Sequence, residues 1–377
     1  MKIPKDDLHL LLKTAGVGLG DSPIYPILAN FNIQKKGSKL CVKSTNSSVY
    51  VFCSMKKDSF EEEPDFDILV EGKKFVGFIN TRKDKEYEVE MDNNSLLLKT
   101  DSISASFPLD AMVDMYPEFP SFAEIQKLGT VSRKRLSEGL SFVQSYLKED
   151  SSSVKETVLE VRNSVAVGGT PSAMGTWKDK ELTVPIKLGC CEAKKIVSFL
   201  NSFSDVDDID ILETPHHYFF KVGAYHFISC EKLADNISVP KIEGYMDSMI
   251  PSIRFSFSQK ELLGAIKSLK HTIDSTITDM RLRVGFEDCK KGLQVIFGNS
   301  SRNVSVSEIE AEIDPESDES EISMKIDHKV FTEVLKHNQN DTVFMEIYRL
   351  KSLAYFVEEN EETSVSSEII MQVRNIS

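Results

Sequence analysis

The stretch FDILVEGKKFVGFIN at residues 66–80 reads as a strand that runs directly into a helix. Ile68 to Val70 form a short apolar run. From Gly72 the period changes, and Phe75, Phe78 and Ile79 fall at i, i+3 and i+4, the face of a helix packed on a sheet. The same change occurs twice more. In LTVPIKLGCCEAKKIVSFLN at 182–201 the triplet is Ile196, Phe199 and Leu200, and in ISMKIDHKVFTEVLKHN at 322–338 it is Phe331, Val334 and Leu335.

Outward from these stretches the chain repeats itself. Each is preceded by an amphipathic helix, at Lys5 to Lys13, Ser132 to Lys148 and Ser258 to His271, with starts roughly 126 residues apart. Leu136, Leu140 and Val143 share one face of the second; Leu262, Leu263, Ile266 and Leu269 share one face of the third. Ser132 and Ser258 are the expected N-caps. Strand-like runs follow each helix: KLCVKST and SVYVFCSM, then TVLEVRN and SVAVGG, then MRLRVGFED, GLQVIFGNS and NVSVSEIEAEI. Lys36-Gly37, Asn46-Ser47, Lys291-Gly292 and Asn299-Ser300 mark turns between runs. After the triplets come YEVEMD and SLLLKT, DIDILE and YFFKVG, VFMEIY and LAYFVEE. This order predicts an α+β fold of three similar domains, each with two helices packed on antiparallel sheets, over residues 1–125, 126–247 and 248–377.

No apolar run approaches the ~20 residues that cross a bilayer. The opening MKIPKDDLHLLLK sets acids before its apolar residues, so it reads as an amphipathic helix rather than a cleaved signal, and a cytoplasmic location is expected. Cys41, Cys53, Cys190, Cys191, Cys230 and Cys289 form no CxxC pair and read as reduced thiols. GxGxxG, Walker A, HExxH and GxSxG patterns are absent. His216-His217 is the one His pair, and neighbours on a strand point to opposite faces. No catalytic residue, metal or cofactor is expected.

A formal charge of -14 argues at first against a nucleic-acid partner. The distribution argues otherwise. Segments 4–14, 71–83, 132–148, 189–203, 258–271 and 328–338, the expected helices, together carry +10, which leaves -24 for the rest. Acids gather instead in Glu308 to Glu321 and Glu358 to Glu362. Lys73, Lys74, Arg82, Arg133, Lys134, Lys148, Lys194, Lys195, Lys267 and Lys270 are the candidates for reaching phosphates. No base-reading motif accompanies them, which fits backbone contact without sequence readout.

Several segments resemble one family. GDSPIYPILANFNIQKKGSKLCVKST at 20–45 and LDAMVDMYPEFP at 109–120 are similar to the first domain of the bacterial DNA polymerase III beta subunit, the beta sliding clamp. KLADNISVPKIEGYM at 232–246 resembles the end of its second domain, and SEIIMQVRNIS at 367–377 its C-terminal tail. The resemblance runs the length of the chain, and its strength is collinear order. It implies a non-enzymatic ring, closed as a head-to-tail homodimer, that encircles double-stranded DNA and tethers a DNA polymerase after a clamp loader has placed it. It implies a partner-peptide pocket at Met174, Pro240, Tyr245, Met246, Ala354, Met371 and Val373. It also implies a dimer contact with Phe107 and Leu109 on one side and Ile273 on the other.

Departures mark a divergent member, of bacterial or bacteriophage origin. GGTPSAMGTW at 168–177 stands where the family has Thr-Asp-Gly-His-Arg-Leu. Gln372 replaces a Pro, and two residues follow Asn375. Two other classes fit the residues less well: a repeat-built adaptor that never encircles DNA, whose helix faces would be neutral or acidic, and a metal-dependent nuclease built from dispersed acids.

Overall fold

A computed structural model of the chain describes all residues except 82–83, 93, 150, 152, 238, 240–244, 247, 273–276, 299–303, 338–339, 361–363 and 376–377, and the side chains of 155, 337, 360 and 375. The chain forms two compact units, residues 1–138 with 191–234, and residues 139–190 with 235–377. Six α-helices occur among the described residues: α1 (Lys5–Gly16), α2 (Gly72–Thr81), α3 (Arg133–Gln144), α4 (Cys190–Leu200), α5 (Gln259–Lys270) and α6 (His328–His337).

Each unit is built on one antiparallel sheet. The first has 12 strands, in the spatial order Lys2–Pro4, Glu86–Asp92, Ser95–Lys99, Ser104–Asp110, Phe66–Glu71, Asn30–Lys36, Lys39–Thr45, Val49–Lys56, His226–Glu231, His217–Val222, Asp208–Glu213 and Gln126–Ser132. The second has 13, in the order Ile186–Gly189, Val158–Arg162, Val165–Thr170, Ala173–Asp179, Val365–Gln372, Leu353–Asn360, Thr342–Tyr348, Ile253–Ser258, Ser305–Ile313, Gly292–Phe297, Asp279–Val284, Ile322–Asp327 and Arg374–Asn375.

The threefold repeat is present in full. Each third runs strand, helix, four strands, helix, three strands, and the last adds the two-residue strand Arg374–Asn375. The pairing repeats as well, because the opening strand of each third pairs with the strand after its second helix, through Ile3↔Tyr87, Val131↔Ile209 and Phe257↔Val343. The middle third contributes strands to both sheets.

The predicted helix triplets are core. Phe75 and Ile79 of α2, Ile196, Phe199 and Leu200 of α4, and Phe331, Val334 and Leu335 of α6 are buried, while Phe78 is half-buried. Burying each such side chain stabilises the fold by about 1.5–3 kcal/mol. Ser258 caps α5 by accepting from the Glu261 amide, and Ser132 accepts from the Arg135 amide at 3.4 Å. Two expectations need correction. The second amphipathic helix ends at Gln144, short of Lys148, because the Ser145 hydroxyl donates to the Phe142 carbonyl at 2.6 Å and the Lys148 amide turns to the Glu156 carbonyl. Leu263, placed on the core face of α5, is only half-buried. The turns at Gly37 and Gly292 carry positive φ, +54° and +96°, which glycine adopts without a Cβ penalty. Asn299-Ser300 lies outside the described residues.

Two seams join one third to the next within a sheet. Val49–Lys56 pairs with His226–Glu231, with Cys53 opposite His226; Ala173–Asp179 pairs with Val365–Gln372, with Trp177 opposite Ser367. The corresponding strands of the remaining pair are Ser305–Ile313 and Ser104–Asp110. Among the described residues, Ser104 to Pro108 pair only with Ser95–Lys99, and Ser305 to Glu310 only with Gly292–Phe297. Both present an open edge, the kind of surface to which another strand adds.

The cysteines are free thiols, and burial pushes the Cys53 thiol up. No helix among the described residues is long and apolar enough to cross a membrane. Nor does any group of three or more His, Cys, Asp or Glu among them stand ready to hold a metal ion.

Candidate nucleic-acid interface and docking cleft

Because each helix buries its apolar stripe on a sheet, its charged residues face away from the core. Lys73, Lys74, Lys134, Lys148, Lys194, Lys267 and Lys270 are all exposed. Several are neutralised locally. Lys73 pairs with Asp21 at 2.8 Å and holds that carboxyl below its usual range; Lys74 pairs with Glu71 at 2.6 Å, Lys134 with Glu138 at 3.8 Å and Lys148 with Glu156 at 3.6 Å. Such exposed pairs exchange readily for a stronger anion, since each contributes only about 0–1 kcal/mol.

Two candidates have structural work instead. The Arg133 guanidinium donates to the Val206 carbonyl at 2.7 Å and to the carbonyl of Leu200, the last residue of α4. Half-buried Lys195 donates to the Val17 carbonyl at 2.6 Å, and burial lowers its pKa. Both groups fasten elements of the first unit together. Arg82 lies outside the described residues.

The second unit has a cleft of about 680 Å3 between the end of α3, α5 and α6. Tyr146, Leu147, Leu263, Ile266 and Val330 give it apolar walls, and Lys148, Lys267, Lys270, Lys329 and Lys336 stand around it with one carboxylate, Glu333. Lys267, Lys270 and Lys329 make no ion pair with any described residue, whereas Lys336 pairs with Glu333 at 2.7 Å. His328 also lines the cleft. Its Nδ1 lies 2.6 Å from the Thr278 carbonyl. A carbonyl only accepts, so Nδ1 is the donor in that bond. The Nε2 of the same ring is buried and has no hydrogen-bond partner among the described residues.

The expected pocket residues are partly gathered. Ala354 and Ala173 flank Met371 on neighbouring strands, and Met174 lies opposite Ile370. Ala354, Met371 and Val373 are at most 1% exposed. Met246 is buried, Met174 half-buried and Tyr245 exposed; Pro240 is outside the described residues. Of the expected dimer contacts, Phe107 sits on the open-edged strand, 8% exposed, with its ring 5.0 Å from Phe75 and 5.6 Å from Phe78. Leu109 is half-buried on the same strand, and Ile273 falls outside the described residues.

Sequence reasoning missed the cleft. Leu263 and Ile266 have core spacing, and nothing in the spacing separates a wall from an interior. Lys329 and Lys336 did lie in a segment counted as basic, which was the available signal.

Residues 1–121 match the family model for the DNA polymerase III beta subunit, N-terminal domain. A sequence search of curated proteins gives no match. The fold, by contrast, aligns end to end with solved structures. The DNA polymerase III beta subunit of Thermotoga maritima aligns with a TM-score of 0.83 at 14% identity, over 100% of this chain and 99% of that one. Its counterpart from Pseudomonas aeruginosa gives 0.81 at 12%, over 100% of both chains, and the DNA polymerase sliding clamp of Bacillus subtilis 0.79 at 14%, over 100% and 98%. The chain has the fold of a beta sliding clamp. Six helices on two large antiparallel sheets are the three-domain clamp architecture, and the two seams are the places where successive clamp repeats share a sheet. The cleft of this clamp fold lies where the middle and last thirds meet within the second unit.

Proposed function

We propose that the protein is a DNA sliding clamp, a non-catalytic ring of two chains that encircles duplex DNA and tethers a replicative polymerase to it. The observation that carries this reading is the end-to-end match of the fold to clamps. Repeat domains at 1–125, 126–247 and 248–377 belong to the same reading, as do loading by a clamp loader and a cytoplasmic location. Exposed lysines on helix faces supply phosphate contact without base readout. Loose contact suits a protein held on DNA by topology.

Salt separates topology from affinity. Clamp placed on a nicked circle by a loader should remain bound at raised salt and escape once the circle is linearised. Binding by charge alone weakens steeply with salt on either DNA. Equal loss from circular and linear DNA would sink the ring, and metal-dependent cleavage would favour a nuclease instead.

The repeat also supports how two chains join. Cys53, Trp177 and Ser307 are equivalent positions, lying opposite Val42, Ala166 and Val295. His226, Ser367 and Ile103 are equivalent in turn, facing Val222, Glu358 and Thr100. If the third seam copies the two internal ones, Ser307 of one chain lies opposite Ile103 of the next, and Val306 opposite Ser104. The contact is head to tail and uses both open edges. Hydrogen-bond polarity agrees. The Leu109 amide points inward to Asn94 and the Ala311 amide inward to Lys291, so Ser104 and Val306 both point outward. Cα atoms of such a pair stand about 5.5 Å apart, within disulfide reach. A chain carrying Ser104→Cys and Val306→Cys is therefore expected to oxidise to a covalent dimer, while Ser104→Cys with Glu310→Cys is not. Crosslinking of only the offset pair would contradict this register.

A further inference from the structure

We propose that the sheet of the last third carries a docking groove around Phe344 that seats an arginine-bearing segment of a partner protein. The inference goes beyond the clamp reading and uses none of the lysines assigned to DNA. The groove, about 330 Å3, is lined by three neighbouring strands, Thr342–Tyr348, Ile253–Ser258 and the end of Ser305–Ile313. Strand alternation sets its face. Val343 and Met345 are buried, so Phe344 and Glu346 point the other way. Two rows of side chains cross that face. One is Phe344, Ser256 and Glu312; the other is Glu346, Arg254 and Asp314. Ser256 is small, which keeps the floor low between the ring and Glu312.

The repeat supplies the comparison. Phe344 is equivalent to Glu88 of the first third and Asp210 of the middle third, each one residue past the paired positions Tyr87, Ile209 and Val343. Those two thirds keep a carboxylate at the position, and Asp210 pairs with Lys127 at 2.7 Å. The last third instead sets a Phe there, 63% exposed. The fold needs no ring at this position, since the same strand carries an acid in both other copies.

Charge selects the occupant. Asp314 and Glu346 share Arg254, at 4.0 and 2.8 Å, and Glu312 makes no ion pair with any described residue. Residues 308–321 hold eight acids and no Lys or Arg, so nothing along that segment offsets them. An open aromatic face beside carboxylates in excess suits a cation, which the ring quadrupole and the carboxylates attract together. A guanidinium fits better than an ammonium, because its plane stacks on a ring while its N–H fork bonds a carboxylate. Duplex DNA and acidic peptides are repelled, and a neutral apolar peptide leaves the carboxylates unanswered.

The test uses the full chain and three labelled peptides followed by fluorescence anisotropy. All share a Gly-Ser frame with three variable positions, filled by Arg, by Lys or by neutral citrulline. At low salt the Arg peptide should bind at least about tenfold more tightly than the citrulline peptide and about threefold more tightly than the Lys peptide, and the first gap should shrink as salt screens the carboxylates. Phe344→Glu, which restores the residue type of the other two thirds, separates ring from charge. It adds a negative charge, so attraction by charge alone would tighten binding. With the ring required, the Arg peptide should weaken and its advantage over Lys should vanish. Glu312→Lys should weaken the Arg and Lys peptides alike. Both positions are exposed, and thermal melts report whether the variants stay folded. Equal affinity for Arg and citrulline peptides, undiminished Arg binding by Phe344→Glu, or no binding at all would each overturn the proposal. So would growth of the particle beyond two chains that Phe344→Glu abolishes, since a further copy of this chain would then be the occupant. Retention on circular DNA is measured separately, and its failure in the parent rejects the ring while leaving this inference standing.

Discussion

Reversing three exposed lysines of the first unit, Lys74→Glu, Lys134→Glu and Lys194→Glu, is expected to cut DNA engagement by about tenfold or more while leaving the fold intact. Each stands on a different helix, α2, α3 and α4, and each is exposed. Exposed substitutions usually move stability by no more than about 0.5 kcal/mol. Lys74 and Lys134 pair with local acids, Glu71 and Glu138, so their reversal also sets like charges side by side. The distinguishing readout is the salt dependence of binding to short duplexes. Losing three phosphate contacts should flatten the log–log slope by about 0.9 for each contact. Arg133 and Lys195 serve as contrasts, since their side chains are tied to backbone carbonyls. Changing either should lower the melting temperature before it alters the slope. A triple variant with an unchanged slope would place the DNA elsewhere.

The second large effect is on stability. Met371→Ala is expected to cost about 2–5 kcal/mol, the range for emptying a close-packed core site of a large aliphatic side chain. Met371 is 1% exposed, between Ala173 and Ala354 on neighbouring strands. Val373 is equally buried, and its amide donates to the Ser352 carbonyl. The Gln372 amide donates in turn to the Ser172 carbonyl, which fastens the tail to the hairpin at GGTPSAMGTW. Deleting Met371 to Ser377 should therefore destabilise the second unit as a whole, and any loss of partner binding would follow from that. Denaturant titration checks it. A truncated chain that melts like the full one would return these residues to the role of a surface lining.

Much of the fold could be read from the chain because its signals are local. Strand-to-helix period changes and the triplets Ile196/Phe199/Leu200 and Phe331/Val334/Leu335 are set by burial against a sheet, and burial leaves a periodic trace. Charge segregation was legible for the same reason. The site was less so. Arg133 and Lys194 look alike in a sequence, yet one caps a helix end and the other faces outward, because only the tertiary neighbours Leu200 and Val206 distinguish them. Met371 and Val373 suited a pocket by chemistry and position, but what decides lining from packing is whether a neighbouring strand covers them. Leu263 erred in the other direction, carrying core spacing and facing a cleft.

The middle third belongs to two sheets at once, and this bears on how the molecule comes apart. Its outer strands, Gln126–Ser132 and Asp208 to Glu231, are stitched to the first unit, while Val158 to Gly189 are stitched to the second. The repeats are thus joined across their boundaries by shared sheets. Cooperative unfolding should follow the sheets, as two blocks rather than three. A fragment cut at a repeat join would carry raw strand edges on both sides, prone to pairing with whatever strand it meets.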